Sequence, residues 1–381
     1  MKTVYYVGFY SSSEDKLQRK NVRQSIAGAM KMDFILKCLR KLDCKIVLVS
    51  IMPSRDSGFQ PQETFVINDR ETHVYLPAFV LRVFGKNIVR GDLSLFFLKR
   101  FMQKNVAKDD VVISYHSLIF GQFFQKLRKK LGFRWVCEVE EIYTVLTTGM
   151  PDADKLSREE SGIKEADGYI MANDRLAKTY AGEAPCAVAY GNYTVFIDES
   201  DREKRDSEDI VLVYAGGIRE QGDLFVLLDA MEYLPCQYVL RILGTGTEKD
   251  MELMRHRIQK INERAGGERI KYCGLLRGKE YTEFLSKCDI GCSLMEQESG
   301  FSTAFPSKIL TYLGHSLKVV SSEVDSIRES SLADLICFSQ RDGESVAQAI
   351  QSINPAEDTH GSDRLRMLEN AFKNDLMKVV G

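Results

Sequence analysis

Two stretches of this 381-residue sequence carry most of its chemistry, and each sets small residues beside a cation. The first, Tyr214-Ala215-Gly216-Gly217-Ile218-Arg219-Glu220-Gln221-Gly222-Asp223, follows the apolar run Val211–Tyr214. Gly216 and Gly217 let the backbone approach a ligand, and a helix starting next would turn its N-terminal amides toward the same space. Arg219 adds a planar donor fork suited to phosphate. The second runs from Glu298 to Leu313, with small residues from Ser299 to Ala304, then Pro306 and Lys308. Pro306 fits the first turn of a helix, where its missing N–H costs nothing. Lys308, one turn in, would then lean back over the helix start. Loop amides, a positive helix end and a lysine make a diphosphate site, to which Arg219 adds a second cation. The plain alternatives are a tight turn with a solvated Arg219, and a loop capping a core helix with an exposed Lys308.

Weaker signals sit at other strand ends. Leu243-Gly244-Thr245-Gly246 reads as a ligand-approaching turn or a simple one, and Tyr272-Cys273-Gly274-Leu275-Leu276 offers backbone groups for a base edge. In the first half, His116 follows the strand candidate Val111–Tyr115, while Glu138, Glu140 and Glu141 surround the end of Trp135–Val139. His116 reads as a sugar contact or proton acceptor, or else as a structural hydrogen-bonder. Glu140 and Glu141 read as acceptor contacts or a solvated turn. The loop Gly8 to Ser25 adds Arg19, Lys20, Arg23 and Gln24, of which Arg23 and Gln24 are taken for the acceptor side.

The elements that must hold these residues alternate short apolar runs with longer helical patterns, the signature of βαβ units and parallel sheets. Strands are expected at Val4–Gly8, Ile46–Ser50, Val111–Tyr115, Trp135–Val139, Tyr169–Ala172 and Ala187–Tyr190, with a helix over the stripe Ile26 to Leu42. The charged run Asp198 to Asp209 (DESDREKRDSED) reads as a linker. Beyond it strands are expected at Ile210–Ala215, Tyr238–Leu243, Ile270–Cys273, Ile290–Leu294 and Lys318–Ser321, and a last helix over Ser362–Val380. The expected organisation is an α/β chain: an acceptor-binding Rossmann-like domain (1–197), a linker (198–209), a donor-binding Rossmann-like domain (210–360) and a closing helix (361–381). Ligands of such sheets bind at the carboxyl ends of the strands, so the features should converge.

Hydrophobic content of 44% with 28% charged residues excludes a disordered or fibrous chain. The net charge of −2 divides into +7 over residues 1–195 and −9 over the rest, so the first half is the one expected to meet an anionic partner. Within it, Leu81 to Lys108 interleaves Arg82, Lys86, Arg90, Lys99, Arg100 and Lys104 with Phe84, Leu93, Phe96, Phe97 and Phe101. That mixture suggests a peripheral surface for anionic lipid; an amphipathic helix with a core-facing side is the other reading. The nine scattered cysteines include no Cys-x-x-Cys pair and read as reduced core thiols. The N-terminus lacks a signal-like apolar core and no run of 18 apolar residues exists, so a cytoplasmic protein is expected. In the second half no acidic pair such as Asp-x-Asp sits at a strand end to ask for a metal, and nothing suggests nucleic acid as a partner.

The pieces YAGGIREQG, ILGTG, IKYCGLL, KCDIGCSL and FPSKILTYLGHSLKVVSS, in this order and spacing, resemble the retaining nucleotide-sugar glycosyltransferases of the GT-B fold, in the group that includes bacterial polysaccharide enzymes. The resemblance is good over residues 208–330 and looser before them. It implies two Rossmann-like domains facing a central cleft, a nucleoside-diphosphate-sugar donor and a glycan or lipid-diphosphate-linked glycan acceptor. It makes Gly217, Arg219 and Lys308 diphosphate contacts, Ser302 to Ala304 the sugar pocket, and Leu275 and Leu276 the base contacts. It also implies a closing helix that crosses back to the first domain. Thr303 and Thr311 stand where the family often has two glutamates, and Gln221 where it commonly has lysine. Threonine cannot give a ribose diol the charge-assisted bond of a carboxylate. The alternative is therefore a catalytically inactive homologue acting as a partner or glycan-binding subunit. An epimerase of the same fold would need more acid–base groups than five scattered histidines supply.

Overall fold

The computed structural model describes residues 1–12, 15–19, 22, 25–54, 56–83, 86–144, 153–198, 208–297 and 303–381. They form two compact α/β units. One comprises Met1–Ala172, Leu176–Asn192 and Phe372–Gly381, the other Asn173–Arg175 and Tyr193–Ala371. The sequence pattern places the domain limit a few residues later, in the charged run whose residues 199–207 lie outside the described ones. The last helix, Gly361–Val380, divides between the two units at Phe372.

The first unit is built on an eight-stranded sheet. Its strands are β1 (Lys2–Gly8), β2 (Cys44–Ser50), β4 (Glu63–Asn68), β5 (Glu71–Tyr75), β8 (Val111–Tyr115), β9 (Arg134–Val139), β10 (Gly168–Met171) and β11 (Cys186–Val188). Their order is β11-β10-β9-β8-β1-β2-β5-β4, parallel except for β4. The chain winds outward from β1 through β2, then returns to β8 on its other side, which makes the β1/β8 boundary the switch point where such sheets open a crevice. Val4 to Val7 of β1 are buried, as a strand covered on both faces requires. Trp135 of β9 joins Phe124 and Leu127 of the helix Gly121–Leu131 and Ile163 of the helix Ala153–Lys164 in one core.

Five strands between residues 58 and 89 escape the apolar-run criterion. Besides β4 and β5 these are β3 (Gly58–Gln60), β6 (Ala78–Val83) and β7 (Lys86–Val89), the last three forming a small antiparallel sheet. The stretch from Leu81 is therefore not one amphipathic helix; only Gly91–Asn105 is helical. β4 alternates half-buried and exposed positions over 63–66 and stays exposed at Ile67 and Asn68, and β5 holds Glu71 and His73 buried, so neither reads as an apolar run. Polar partners repay that burial: the Glu71 carboxylate takes two bonds from the Arg40 guanidinium and one ring nitrogen of His73, whose other nitrogen meets Asp15.

The second unit is an all-parallel sheet of β12 (Ile210–Ile218), β13 (Tyr238–Gly246), β14 (Ile270–Tyr272), β15 (Ile290–Ser293), β16 (Lys318–Ser322) and β17 (Ile336–Ser339). Its order is β14-β13-β12-β15-β16-β17, a doubly wound arrangement with its switch point between β12 and β15. Leu224, Leu227 and Leu228 of the helix Asp223–Ala230, and Met254 and Ile258 of the helix Glu248–Ala265, cover it together with Val346 and Ile350. Among the described residues, no helix is long and apolar enough to cross a membrane.

Candidate active site

Within the second unit, the chemistry-bearing residues gather at the carboxyl ends of β12, β13, β14 and β15. β12 and β13 pair past the expected strand ends, through Gly216 opposite Gly244, Gly217 opposite Thr245 and Ile218 opposite Gly246. Gly244-Thr245-Gly246 is thus strand, not a turn. The glycines allow the close pairing: a Cβ on Gly244 would overlap the Gly216 carbonyl oxygen, and one on Gly246 that of Ile218. The Gly244 N–H then donates to the Gly274 carbonyl at 3.0 Å. Gly216, Gly244 and Gly274 so form a floor without side chains across three strand ends.

At one end of that floor stands Lys308. Its helix is Lys308–Gly314, with Ser307 at the N-cap; Pro306 precedes the helix instead of entering its first turn, and Lys308 is the first helical residue instead of lying one turn in. Tyr312, one turn on, fixes the helix. Its ring packs on Gly291 of β15 so closely that a Cβ there would overlap it, and its hydroxyl accepts from the Ala215 N–H at 3.0 Å. Lys308 Nζ consequently lies 4.6 Å from the centre of the Tyr214 ring and 3.3 Å from an Asp223 carboxylate oxygen, and a Cβ on Gly216 would sit 3.2 Å from it. The Tyr214 hydroxyl donates to the Gly217 carbonyl at 2.7 Å, and burial pushes its pKa up.

The loop after β12 is held by a residue the sequence reading missed. Arg341 donates to the Gln221 carbonyl and the Leu294 carbonyl, both at 2.9 Å, tying this loop to the end of β15. Gln221 adopts φ 63°, a conformation uncommon outside glycine. Arg219 is exposed and forms no ion pair among the described residues; Gly217 opens onto free space. Asp223 begins a helix with no side-chain cap; the Phe225 amide turns back to the Gly222 carbonyl at 3.1 Å, which leaves the Asp223 and Leu224 amides as the first-turn donors that face outward. Asp223 and Tyr214 were within reach of sequence reasoning, since they are the two ends of the glycine-containing stretch 214–223; nothing local marks Arg341.

The remaining donor-side residues are placed as follows. Leu275 is 52% exposed just after β14, beside the half-buried Leu276. The Thr303 carbonyl accepts from the Asn173 side chain at 2.8 Å and the Ala304 carbonyl from the Ser326 hydroxyl at 2.7 Å. Thr311 turns its hydroxyl back to the Ser307 carbonyl at 3.4 Å. Ser302, Arg23 and Gln24 lie outside the described residues.

In the first unit a second polar group of residues occupies the carboxyl ends of β1, β8 and β9. Glu138 is fully buried and accepts from the Tyr6 hydroxyl at 2.6 Å, while its other oxygen has no hydrogen-bond partner. Glu140 pairs with Lys31, itself 3% exposed, at 2.5 Å. Burial first, and the neighbouring Glu140 second, raise the Glu138 pKa to about 8; the same two causes, with Glu159, raise Glu141 to about 7. His116 is 3% exposed, stacks on Tyr143 at 5.3 Å and sets Nε2 3.4 Å from Glu159, whose carboxylate accepts the Tyr143 and Thr144 amides. Burial lowers its pKa against the opposing pull of Glu159. Lys31, Tyr143 and Glu159 carry no motif and went unread in the sequence.

A carboxyl with a raised folded pKa is neutral at low pH in both folded and unfolded chains, and must ionise in the interior as pH rises. Glu138 therefore stabilises least above its folded value, and stability is lost between about pH 4.5 and 8. Glu138→Gln is expected to remove most of that slope in melting temperature and to gain on the order of 2–4 kcal/mol over the wild type at pH 8. An unchanged slope would show that Glu138 is not the group responsible.

Known proteins share this architecture. Residues 209–354 match the family model described as Glycosyl transferases group 1. None of the curated proteins matches the chain. Among solved structures, a UDP-forming α,α-trehalose-phosphate synthase from Burkholderia xenovorans superimposes with a TM-score of 0.68, at 11% identity over 100% of both chains. HepE from Anabaena, in complex with UDP, gives 0.62 at 12% identity over 98% of this chain and 96% of that one. A trehalose-6-phosphate synthase structure concerned with glycosyl transfer with retention gives 0.62 at 12% identity, over 99% and 98%. At such identities the structural likeness establishes the fold, two Rossmann-like domains of the GT-B type.

Proposed function

We propose that this GT-B glycosyltransferase, whose residues 209–354 form a group 1 domain, moves a hexose-type sugar from a nucleoside-diphosphate sugar to a glycan hydroxyl in cell-surface polysaccharide synthesis. The observation that carries the reading is the glycine floor ending at Lys308. Gly274 and Leu275 lie two strands from Gly216, about 10 Å at ordinary strand spacing, which suits a nucleoside whose diphosphate ends at the lysine. Charge builds on the diphosphate as the sugar departs. Lys308, Arg219 and the uncapped amides from Asp223 are placed to offset it, with Asp223 releasing Lys308 to the ligand. Retention of configuration is supported by the likeness to the synthase studied for transfer with retention.

A thermal-shift panel with UDP, GDP, TDP, CDP and ADP tests this reading, run in EDTA because it needs no metal. One nucleotide is expected to raise the melting temperature of the wild type and not of Lys308→Ala; saturation at 100 times Kd is worth about 2.7 kcal/mol. No shift with any nucleotide would favour the second reading, an inactive partner or glycan-binding subunit. Its support is Thr311, whose hydroxyl is directed to its own helix where the resemblance wants a carboxylate.

The acceptor in this reading is a lipid-diphosphate-linked glycan, met at the cytoplasmic face of a membrane. Support comes from Phe96, 54% exposed on the helix Gly91–Asn105 with Lys99 and Arg100 exposed beside it, and from exposed Phe59, Ile88 and Val89 in or next to the small sheet. Flotation with anionic liposomes at low salt is expected to carry the protein upward, less so at high salt. A protein that stays at the bottom in both would defeat the membrane part.

A further inference from the structure

In the first unit, the helices Gly121–Leu131 and Ala153–Lys164 touch backbone to backbone at Gly121 and Gly162, where an added Cβ on either would come within 3.1 Å of the other's Cα. Residues four and seven before Gly162 share its helix face, so Arg158 and Lys155 are brought over the start of the helix Gly121–Leu131. Between the two helices lies a pocket of about 460 Å³ whose lining includes His116, Ser117, Gly121, Lys155, Arg158 and Glu159.

Four properties of that pocket point to an anion. The helix beginning at Gly121 has no side-chain cap, so its first-turn amides remain unpaired within the helix. His116 is 97% buried by its 3% exposure, and its Nδ1 has no hydrogen-bond partner; the buried Ser117 hydroxyl oxygen has none either. Buried polar atoms of this kind are rarely left orphaned, and two in one pocket imply a ligand that satisfies both. Arg158 is exposed and forms no ion pair among the described residues. The one acid in the lining, Glu159, already has both carboxylate oxygens bonded by the Tyr143 and Thr144 amides.

We infer that this pocket binds the phosphate of the acceptor: Arg158, the Ser117 hydroxyl and the amides at Gly121 donate to a phosphate ester, the P–OH of its monoanion donates to His116 Nδ1, whose Nε2 faces Glu159, and the remaining volume takes the group attached to it. The inference rests on the transferase reading for the word acceptor, and on the pocket alone for the phosphate.

The decisive experiment uses Lys308→Ala, in which the proposed diphosphate site is disabled, so that phosphate binding there cannot be mistaken for binding here. Isothermal titration of this variant with glucose 6-phosphate and, separately, with geranyl diphosphate distinguishes a sugar phosphate from an isoprenoid one; glucose is the control. At least one of the two phosphates is expected to bind and glucose not. Adding Arg158→Ala should weaken that binding about tenfold, and Arg158→Lys less. Arg158 is exposed, so these variants should fold, and unchanged melting temperatures verify it. Loss of nucleotide binding in the panel above would sink the donor reading without touching this one. Neither phosphate binding to Lys308→Ala, equal binding of glucose, or indifference to Arg158→Ala would each overturn the inference.

Discussion

Lys308→Ala is expected to lower kcat/KM by 10²–10³-fold, roughly 2.7–4 kcal/mol of transition-state stabilisation, with most of the loss in kcat. The size follows from the surroundings of Nζ. Side chains of Lys308 and Asp223 are only 20% and 21% exposed, and the ammonium lies over the Tyr214 ring, so water screens it poorly. Before the sugar leaves, the diphosphate carries part of its final charge; at departure that charge grows, and an interaction that strengthens then acts on kcat more than on binding. The helix should survive the substitution. Tyr312 fixes it on Gly291 and Ala215 independently of the lysine, and alanine is the best helix former. Lys308→Arg should recover part of the loss, since charge returns in a different shape. A kcat/KM within a few-fold of wild type, measured with the nucleotide the panel selects, would remove Lys308 from the chemistry.

What the sequence made legible and what it hid divide along physical lines. The parallel strands β1, β8, β9, β12 and β15 are short apolar runs because a strand covered on both faces excludes polar side chains, and such runs can be seen. Strands β4 and β5 failed that test because edge exposure and a buried polar network replace apolar content with Glu63, Glu71 and His73. The position of Lys308 was readable from its loop; its place as first helical residue was not, because Ser307 and not Pro306 begins the turn, a difference of two residues in a seven-residue helix. Asp223 was in the quoted motif, yet its pairing with Lys308 spans 85 positions and no spacing announces it. Arg341 acts on Gln221 across 120 positions through a carbonyl, a contact with no residue-type signature at its receiving end. His116 was picked out by type, while its partner Glu159 sits on a helix 43 residues on, chosen by the Gly121–Gly162 approach of two helices. Local chemistry was visible; the tertiary contacts that aim it were not.

Gly244→Ala is the second large effect, and it falls on stability. Gly244 holds φ 138°, a region that side chains rarely enter, and its missing Cβ is where the Gly216 carbonyl oxygen lies. Backbone on both sides makes the clash incapable of relief by rotating a side chain; β12 and β13 must part at their carboxyl ends instead. The expected cost is about 3–5 kcal/mol in urea unfolding, or on the order of 10 °C in melting temperature for a unit of this size. Gly217→Ala supplies the contrast. It lies one residue from Gly216 on the same strand, but a Cβ there meets nothing within 4 Å and its φ is not positive, so stability should change by less than about 1 kcal/mol. If the two variants unfold alike, the close pairing of Gly216 with Gly244 is absent from the protein. The glycine floor proposed for the nucleotide would then go with it. If Gly244→Ala alone is destabilised while Gly217→Ala stays folded but loses nucleotide binding, the two glycines separate cleanly. One is required by the packing of two strands, the other by the space a diphosphate occupies.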